Sequence, residues 1–142
     1  MDLSIKFQNT LVSIRVAAII RLNSEYVLFE KSPKGYFFLI GGKIKLVESS
    51  LEALKREIFE EIGEVVQSAK LKGVVENFYS NNEENIQEIC FVCEVNSVPD
   101  KSFPENFSKL RIDEIDSCDI KPKEIIDLIK GTSEMKHIVI KK

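Results

Sequence analysis

Apolar positions along the chain follow two spacings, which predict strands and helices separately. Asn23-Ser24 separates the first two apolar runs and predicts a β-hairpin between them. Gly41-Gly42 is expected to end the third run. The strands predicted from runs rich in β-branched and aromatic residues are residues 11–20, 26–29, 36–40, 72–79, 86–95 and 137–140.

One long helix is predicted at residues 49–62. Ser49 and Glu52 have the spacing of a capping box, in which each side chain accepts a hydrogen bond from the other residue's backbone N–H. Gly63 stands where a C-terminal cap belongs. The apolar side of this helix recurs in steps of three and four residues and consists of Leu51, Leu54, Ile58 and Ile62.

A second helix is predicted from Pro122 to about Lys130, with Gly131 at its end. Strands on both sides of a central helix, followed by a C-terminal helix, predict an α/β fold in which helices are layered on a sheet. The length of 142 residues suits one domain, and no linker divides it, so we expect a single domain over residues 1–142.

Composition limits the classes of protein that this chain can represent. Apolar residues make up 44% and charged residues 30%, which is typical of a globular protein. The net charge of −3 argues against a basic nucleic-acid-binding face, and the longest strongly apolar stretch, residues 16–20, is too short to span a membrane. Three cysteines are too few for a disulfide framework, and the N-terminus lacks signal-peptide features, so we expect a cytoplasmic protein.

The negative charge is concentrated in residues 48–64, which hold six glutamates against one lysine and one arginine. At the helical period, four of these side chains share about 100° of one helix face. Like charges at these spacings cost about 0.2–0.5 kcal/mol per pair, so the helix is locally destabilised. A divalent cation would turn this repulsion into shared coordination. The four side chains are Glu57, Glu60, Glu61 and Glu64.

The residue types in this cluster indicate which ion it would bind. It offers only oxygen ligands, and His137 is the single histidine of the chain, so a histidine-rich zinc site is excluded. Oxygen ligands suit Mg²⁺ or Mn²⁺, and Mg²⁺ commonly binds through a few carboxylates together with substrate phosphates. Without the ion, the same glutamates would form a solvated acidic helix face.

From Gly42 onward the chain reads Gly-x5-Glu48-x7-Arg56-Glu57-Ile58-x-Glu60-Glu61-x-Gly63. This pattern resembles the Nudix box, the signature of the Nudix (MutT-like) hydrolases. The resemblance implies the Nudix-type α/β/α sandwich, with a mixed β-sheet between helices. The box covers 23 residues, and a weaker resemblance extends over about residues 10–140.

The resemblance also implies roles for individual residues. Glu57, Glu60 and Glu61 match the family's metal-binding glutamates, and the carbonyl of Gly41 matches a frequent metal ligand. Glu60 or Glu61 would serve as the general base. Four further positions match residues around this centre, namely Arg56 and Glu48, which orient the carboxylates, Lys43, which lies beside substrate phosphates, and Glu88, which is a base or extra ligand in some members.

The family hydrolyses nucleoside diphosphates that are linked to another group, using Mg²⁺. The expected partner is therefore a small-molecule nucleotide, and neither nucleic acid nor a membrane is expected. The short chain favours a nucleoside triphosphate as substrate, with ADP-ribose, nucleotide sugars and dinucleoside polyphosphates as alternatives. Two alternative hypotheses are a non-catalytic Nudix module that binds a nucleotide and regulates a partner, and an acidic interaction domain without metal.

The chain departs from the family pattern at several positions beside the box. Ile40 replaces a common proline, and Lys45 and Val47 stand where an acidic residue and glycine are frequent. Glu64 takes the place of an aliphatic residue, so Val65 is expected to fill the buried position. These changes alter the loop and the helix end without removing a charged group of the metal site.

Other candidate sites give weaker signals. Cys90 and Cys93 are three residues apart in a strand, which places them on opposite faces and argues against a metal or redox pair. The acidic residues 113–119 lack the glycine and terminal glutamate of an EF-hand loop. Aromatic side chains that could stack on a nucleotide base are Phe37, Phe38, Phe78 and Tyr79.

Overall fold

The computed structural model describes residues 1–131 and 134–141, in which a mixed nine-stranded sheet lies between helices. This confirms the α/β class and the sandwich expected from the sequence. The elements are β1 (Ser4–Phe7), β2 (Thr10–Leu22), β3 (Tyr26–Lys31), β4 (Phe37–Phe38), β5 (Ile40–Lys43), α1 (Ser50–Ile62), β6 (Ala69–Asn81), β7 (Glu84–Val95), β8 (Phe107–Arg111), a 3₁₀ helix (Ile112–Ser117), α2 (Ile125–Lys130) and β9 (Lys136–Lys141).

Strand β2 organises the sheet. One of its edges pairs in parallel with β7, from Thr10 opposite Asn85 to Ile20 opposite Val95. Its other edge pairs antiparallel with β1, β5 and β3 in succession. β6 pairs antiparallel with β7, β9 extends the sheet in parallel with β6, and β4 and β8 pair with β3. The predicted hairpin between the first two long strands is confirmed.

Both faces of β2 are buried, so its residues alternate between two apolar cores. Val16, Ala18 and Ile20 face α1 and pack with its buried side chains. Ile19 points to the opposite face, where α2 packs against β6 and β7. A strand that is covered on both faces reads as a nearly continuous apolar run, which is the pattern of residues 11–20.

Helix α1 begins and ends where the sequence predicts. The Ser49 side chain accepts from the Glu52 N–H at 3.1 Å, and the Glu52 carboxylate accepts from the Ser49 N–H at 3.4 Å. Gly63 adopts the left-handed conformation, with φ of 73°. The predicted apolar side of the helix is wrong at one position. Leu51, in the first turn, is 39% exposed, and Ala53 is the buried residue there.

The prediction that Gly41-Gly42 ends a strand is wrong, since both glycines lie within β5. The predicted strand at residues 36–40 instead divides at Leu39, because Phe37 and Phe38 pair with β3 while Ile40 begins the pairing with β2. A side chain at Gly41 would place its Cβ 2.0 Å from the Val16 carbonyl oxygen. Glycine therefore allows β5 to approach β2.

The remaining elements agree with the sequence apart from local differences. The second helix starts at Ile125 instead of Pro122, and it ends before Gly131 as expected. The prediction that Val65 is buried is wrong, because Val65 is 71% exposed and Val66 is buried instead. The helix ends at Gly63, so the residues that follow no longer keep the helical spacing. The short strands β1 and β8 and the 3₁₀ helix were not predicted.

Within residues 1–131 and 134–141, no helix has the length and apolar character needed to cross a membrane.

Val47 adopts a backbone conformation that β-branched residues avoid. Its φ is 67°, and its side chain is 94% exposed, so no tertiary contact compensates the strain. The left-handed conformation costs about 1–2 kcal/mol for an ordinary L-residue. This position is the one at which the family pattern frequently has glycine.

We therefore expect Val47→Asn to stabilise the protein, because asparagine tolerates the left-handed region. The expected gain is about 1 kcal/mol, or about 3 °C in Tm, measured by thermal unfolding. Leu46→Asn is the matched control, since Leu46 is a neighbouring exposed apolar residue without positive φ, and its Tm should hardly change. An unchanged Tm for Val47→Asn would contradict the strain.

Candidate active site

The acidic face of α1 meets the sheet at Gly42. The Glu57 side chain is only 13% exposed, and a Cβ at Gly42 would lie 2.4 Å from its Oε1. Glycine at position 42 is thus required for Glu57 to lie against the backbone of β5. Glu60, one turn further along the helix, keeps a side chain that is 53% exposed.

Arg56 connects the loop before α1 to the acidic face. Its Nε and Nη2 donate to the two carboxylate oxygens of Glu48 at 2.7 and 2.8 Å, and its Nη1 donates to Glu57 Oε1 at 2.9 Å. Nη2 also donates to the Lys43 carbonyl at 3.2 Å. A bidentate guanidinium–carboxylate pair is strong and directional, so Arg56 fixes the orientation of Glu57 relative to β5.

The ion pair also changes the proton affinities of its members. The hydrogen bonds from Arg56 lower the pKa of Glu48 to about 2, with a further contribution from the Lys45 N–H. The Glu48 carboxylate in turn raises the pKa of Arg56. Both groups therefore stay charged at every physiological pH.

Glu61 is surrounded by other carboxylates of the cluster. Burial raises its pKa, and repulsion from Glu30, Glu57 and Glu60 raises it further. Glu30, which extends from β3, is a member of this group that the Nudix-box pattern does not include. The only sequence signal is the alternation of the strand, which places Glu30 on the same face as the buried Leu28 and hence toward α1.

The donor set of this cluster fits a hard divalent cation, although the side chains do not converge. Within residues 1–131 and 134–141, no three His, Cys, Asp or Glu side chains are arranged to hold a metal ion. Glu30, Glu57 and Glu60 are nevertheless close enough to Glu61 to raise its pKa by charge repulsion, so four carboxylates share one region, and their oxygen atoms suit Mg²⁺ or Mn²⁺. His137 lies apart on β9, where it contacts Glu76.

A cavity of about 1810 Å³ lies on the opposite face of the sheet, between the central strands and the segment that leads into α2. Gly41 forms part of its wall, whereas the next residue, Gly42, contacts Glu57 on the other face. Strand β5 therefore lies between the cavity and the acidic cluster, and two adjacent residues of this strand contact one region each. The floor of the cavity is formed by Arg15, Ala17, Asn77, Tyr79, Glu88 and Cys90.

Glu88 and Lys43 lie apart from the carboxylates of α1. Glu88 lines the cavity and accepts from the Tyr79 hydroxyl at 3.3 Å, and burial together with Glu88 raises the pKa of Tyr79. Lys43 is on β5, where its Nζ donates to Ser4 Oγ at 3.4 Å. The structure brings together Glu57, Glu60 and Glu61 and places Glu88 on the other face of the sheet.

Two of the four aromatic candidates line the cavity. Phe38 and Tyr79 do so, whereas Phe37 packs into the core beside α2 and Phe78 lies beneath the Lys141 ammonium. Tyr36 was missed; its ring centroid is 6.1 Å from that of Phe38. A loop that joins β3 to β4 carries Tyr36 into the cavity wall, and strand periodicity alone does not report on loops.

The two cysteines of the Cys-x-x-Cys sequence lie on opposite faces, as predicted. Cys90 lines the cavity and Cys93 belongs to the core beneath α1. Burial raises the pKa of the Cys90 thiol to about 12, so it stays protonated and unreactive.

Comparison with known proteins identifies the family. The profile of the NUDIX domain matches residues 12–133. No curated protein sequence matches the chain significantly. A mutator MutT protein from Bacillus halodurans is a similar solved structure, with 22% sequence identity, a TM-score of 0.70, and coverage of 88% of this chain and 89% of that one.

Two other solved structures carry different activities in their names. An ADP-ribose pyrophosphatase from Streptococcus suis has 14% identity and a TM-score of 0.58, with coverage of 88% of this chain and 98% of that one. An Ap4A hydrolase from C. elegans has 15% identity and a TM-score of 0.60, with coverage of 84% and 94%. At these identities the likeness shows a shared fold. Because the profile spans most of the sequence, this chain belongs to the NUDIX family and is a Nudix hydrolase.

Proposed function

We propose that the protein hydrolyses the pyrophosphate bond of a nucleoside diphosphate that is linked to another group, with Mg²⁺ as cofactor and Mn²⁺ as a possible substitute. The observation that carries this proposal is the position of β5. Its Gly42 contacts the acidic face of α1, and its Gly41 lines a cavity large enough for a nucleotide. Phosphates at the cluster and a nucleoside in the cavity would thus be adjacent.

Glu57, Glu60, Glu61 and the Gly41 carbonyl would hold the cation. When bound, Mg²⁺ supplies charge neutralisation at the phosphates and lowers the pKa of a water ligand. Arg56 keeps the Glu57 carboxylate in place through its fixed guanidinium. The chemistry of these ligands agrees with the oxygen preference of Mg²⁺.

Glu61 is the better candidate for the general base. Burial and repulsion from neighbouring carboxylates raise its pKa, so the Glu61 carboxylate has a higher proton affinity than a solvent-exposed glutamate. In the proposed reaction, the water oxygen forms a bond to phosphorus as Glu61 takes the proton, and the bridging P–O bond breaks. Lys43 would contact the phosphate chain from the cavity side, and Glu88 would contact the nucleoside.

A nucleoside triphosphate is the proposed substrate, with ADP-ribose, nucleotide sugars and dinucleoside polyphosphates as the alternatives. The cavity exceeds the volume of about 300–1,000 Å³ that is common for small-molecule sites, so it admits a nucleotide of any of these kinds. The named activities of the similar structures include ADP-ribose and Ap4A cleavage. A nucleotide-binding regulator without activity is disfavoured because the box keeps all three glutamates.

The proposed partner is a small molecule, and nucleic acid and membranes are not proposed partners. The net charge of −3 supports this, since broad nucleic-acid binding requires a basic surface. A cytoplasmic location remains a prediction that rests on the three cysteines.

The direct test of the function is a panel of nucleotides incubated with Mg²⁺. Release of phosphate, pyrophosphate or nucleoside monophosphate would identify the bond that is cleaved. Absence of hydrolysis for every phosphoanhydride in the panel would overturn the proposal.

Glu61→Gln should abolish most activity without unfolding the protein. Loss of a general base lowers kcat by about 10²- to 10⁴-fold. The variant also loses a carboxylate that its neighbours repel, so its Tm without Mg²⁺ should equal or exceed that of the wild type. Glu64, which the helical period predicts on the acidic face, instead lies beyond the end of α1 and pairs with Lys101, so Glu64→Gln is the matched control. Wild-type activity in Glu61→Gln would refute its role.

Mg²⁺ should stabilise the wild-type protein by linkage. At a free concentration of ten times Kd, binding to the native state contributes about 1.4 kcal/mol, or about 3–5 °C in Tm. Calorimetric scans with MgCl₂ and with NaCl at equal ionic strength would separate binding from screening. The shift should disappear in the combined variant Glu57→Gln, Glu60→Gln, Glu61→Gln; its persistence there would locate the ion elsewhere.

Glu48→Gln should lower stability at neutral pH and change its dependence on acid. The folded pKa of about 2 lies below the ordinary value of 4.5, so the Arg56 pair stabilises the protein fully above pH 4.5 and less as the pH falls toward 2. The variant should therefore be less stable by about 1–2 kcal/mol at pH 7, and this difference should shrink between pH 5 and pH 2.

Denaturant unfolding across this pH range would measure the difference. Glu83→Gln, in the exposed turn between β6 and β7, is a control that should match the wild type throughout. A constant difference between Glu48→Gln and the wild type at all pH values would contradict the pairing.

A further inference from the structure

Two cationic residues lie directly opposite each other at the edge of the cavity. Arg15 of β2 and Lys43 of β5 are Cα partners, two residues along from the pair formed by Ala17 and Gly41. Side chains two residues apart share a face, and Arg15, Ala17 and Gly41 all line the cavity. Like charges at opposed positions in a sheet destabilise it, so the pair has no evident structural benefit.

Arg15 differs from the other three arginines of the chain. Arg21, Arg56 and Arg111 each donate hydrogen bonds or form ion pairs within the protein. In the part of the chain that the structure describes, the Arg15 guanidinium makes no hydrogen bond and no ion pair, although the residue is half-buried. Its five N–H donors therefore face the cavity without a protein acceptor.

The acidic residue on the neighbouring strand of this face does not neutralise Arg15. Glu88 lies on the neighbouring strand, where its carboxylate accepts from the Tyr79 hydroxyl and forms no ion pair with Arg15. The positive charge of Arg15 acts on two side chains of the cavity floor, because it partly offsets the rise in the pKa values of Tyr79 and Cys90. An anion in the cavity would thus find an unpaired guanidinium.

Lys43 links this cationic pair to the acidic cluster. Its carbonyl accepts from Arg56, which holds Glu57, while its side chain lies on the face of Arg15. A phosphate chain that extends along β5 from the acidic cluster and its ion would therefore reach Lys43 and Arg15 with its next phosphate. Arginine is well suited to the second contact, because its planar fork binds phosphate oxygens bidentately.

We propose that Arg15 is a specificity-determining residue, which binds a phosphate beyond the diphosphate held at the acidic cluster and so selects substrates with three or more phosphates in a chain. This inference rests on the proposed function. It favours a nucleoside triphosphate or a dinucleoside polyphosphate over ADP-ribose, whose chain holds only two phosphates between neutral sugars.

The test compares Arg15→Gln with the wild type on three substrates in Mg²⁺: a nucleoside triphosphate, a dinucleoside tetraphosphate and ADP-ribose. A charge-assisted contact corresponds to a loss of about 10- to 100-fold in kcat/KM, carried mainly by KM, for substrates that use it. The value for ADP-ribose should change less than about threefold. Arg15→Lys keeps the charge and should recover part of the loss. The wild-type kcat/KM values for the nucleoside triphosphate and the dinucleoside tetraphosphate show which of the two substrates is preferred.

Lys6→Gln is the matched control, since it removes one positive charge from β1 on the same face of the sheet, outside the cavity. It should leave all three kcat/KM values unchanged. The Tm of Arg15→Gln without ligand should equal or exceed that of the wild type, because a repelling charge is removed, whereas a structural role would lower it. Equal losses on all three substrates, or none, would overturn the specificity role.

Calorimetric titration with inorganic tripolyphosphate and pyrophosphate provides a readout that does not depend on turnover. Arg15→Gln should weaken tripolyphosphate binding about tenfold or more and leave pyrophosphate binding unchanged; equal affinities in variant and wild type would overturn the inference. If the wild type hydrolyses none of the substrates, the proposed function fails, and this titration still decides whether Arg15 binds a third phosphate.

Discussion

Two close backbone approaches at Gly41 and Gly42 set the distances on which the site depends. A Cβ at Gly41 would lie 2.0 Å from the Val16 carbonyl oxygen, and a Cβ at Gly42 would lie 2.4 Å from Glu57 Oε1. Any larger residue would push β5 away from β2 or displace the carboxylate. The four-residue strand β5 can therefore lie between the acidic cluster and the cavity. Gly42 leaves room for the Glu57 carboxylate, and Gly41 allows the close contact with β2 beside the cavity.

The electrostatics of the cluster oppose folding and are only partly balanced within the chain. Arg56 compensates Glu48 and Glu57 through short hydrogen bonds, and its geometry is fixed by the bidentate contact. Among the residues that the structure describes, Glu61 has no such partner, and three other carboxylates repel it. A helix face that remains unfavourable without a cation is typical of a site at which function overrides local stability.

The sheet divides the two tasks of the proposed reaction between its faces. The α1 side carries the carboxylates that would hold an ion and accept a proton, and the α2 side carries the aromatic and polar residues of a nucleotide cavity. Because the two regions meet only across β5, substitutions in the cavity can alter substrate choice without disturbing the carboxylates. Such a division is consistent with one fold serving several substrates, as the names of the similar structures indicate.

The sequence alone determined the elements whose signals are local. Helix α1 and its caps, the positions of Glu57, Glu60 and Glu61 on one face, and most strands follow from spacings within a few turns or residues. The Arg56–Glu48 pair was available from the resemblance to the Nudix box. The bounds of the strands and the place of Gly41-Gly42 within β5 were not, because these depend on which neighbour each segment pairs with.

Only the tertiary structure brought together residues that are distant in the chain. Glu30 reaches the cluster through β3, Arg15 meets Lys43 through the register of β2 with β5, and Tyr36 enters the cavity from a loop. None of these contacts has a sequence spacing that would reveal it. Strand register is set by long-range packing of two apolar faces, and a shift of one residue would turn the strand residues Glu30, Arg15 and Lys43 to the opposite face of the sheet.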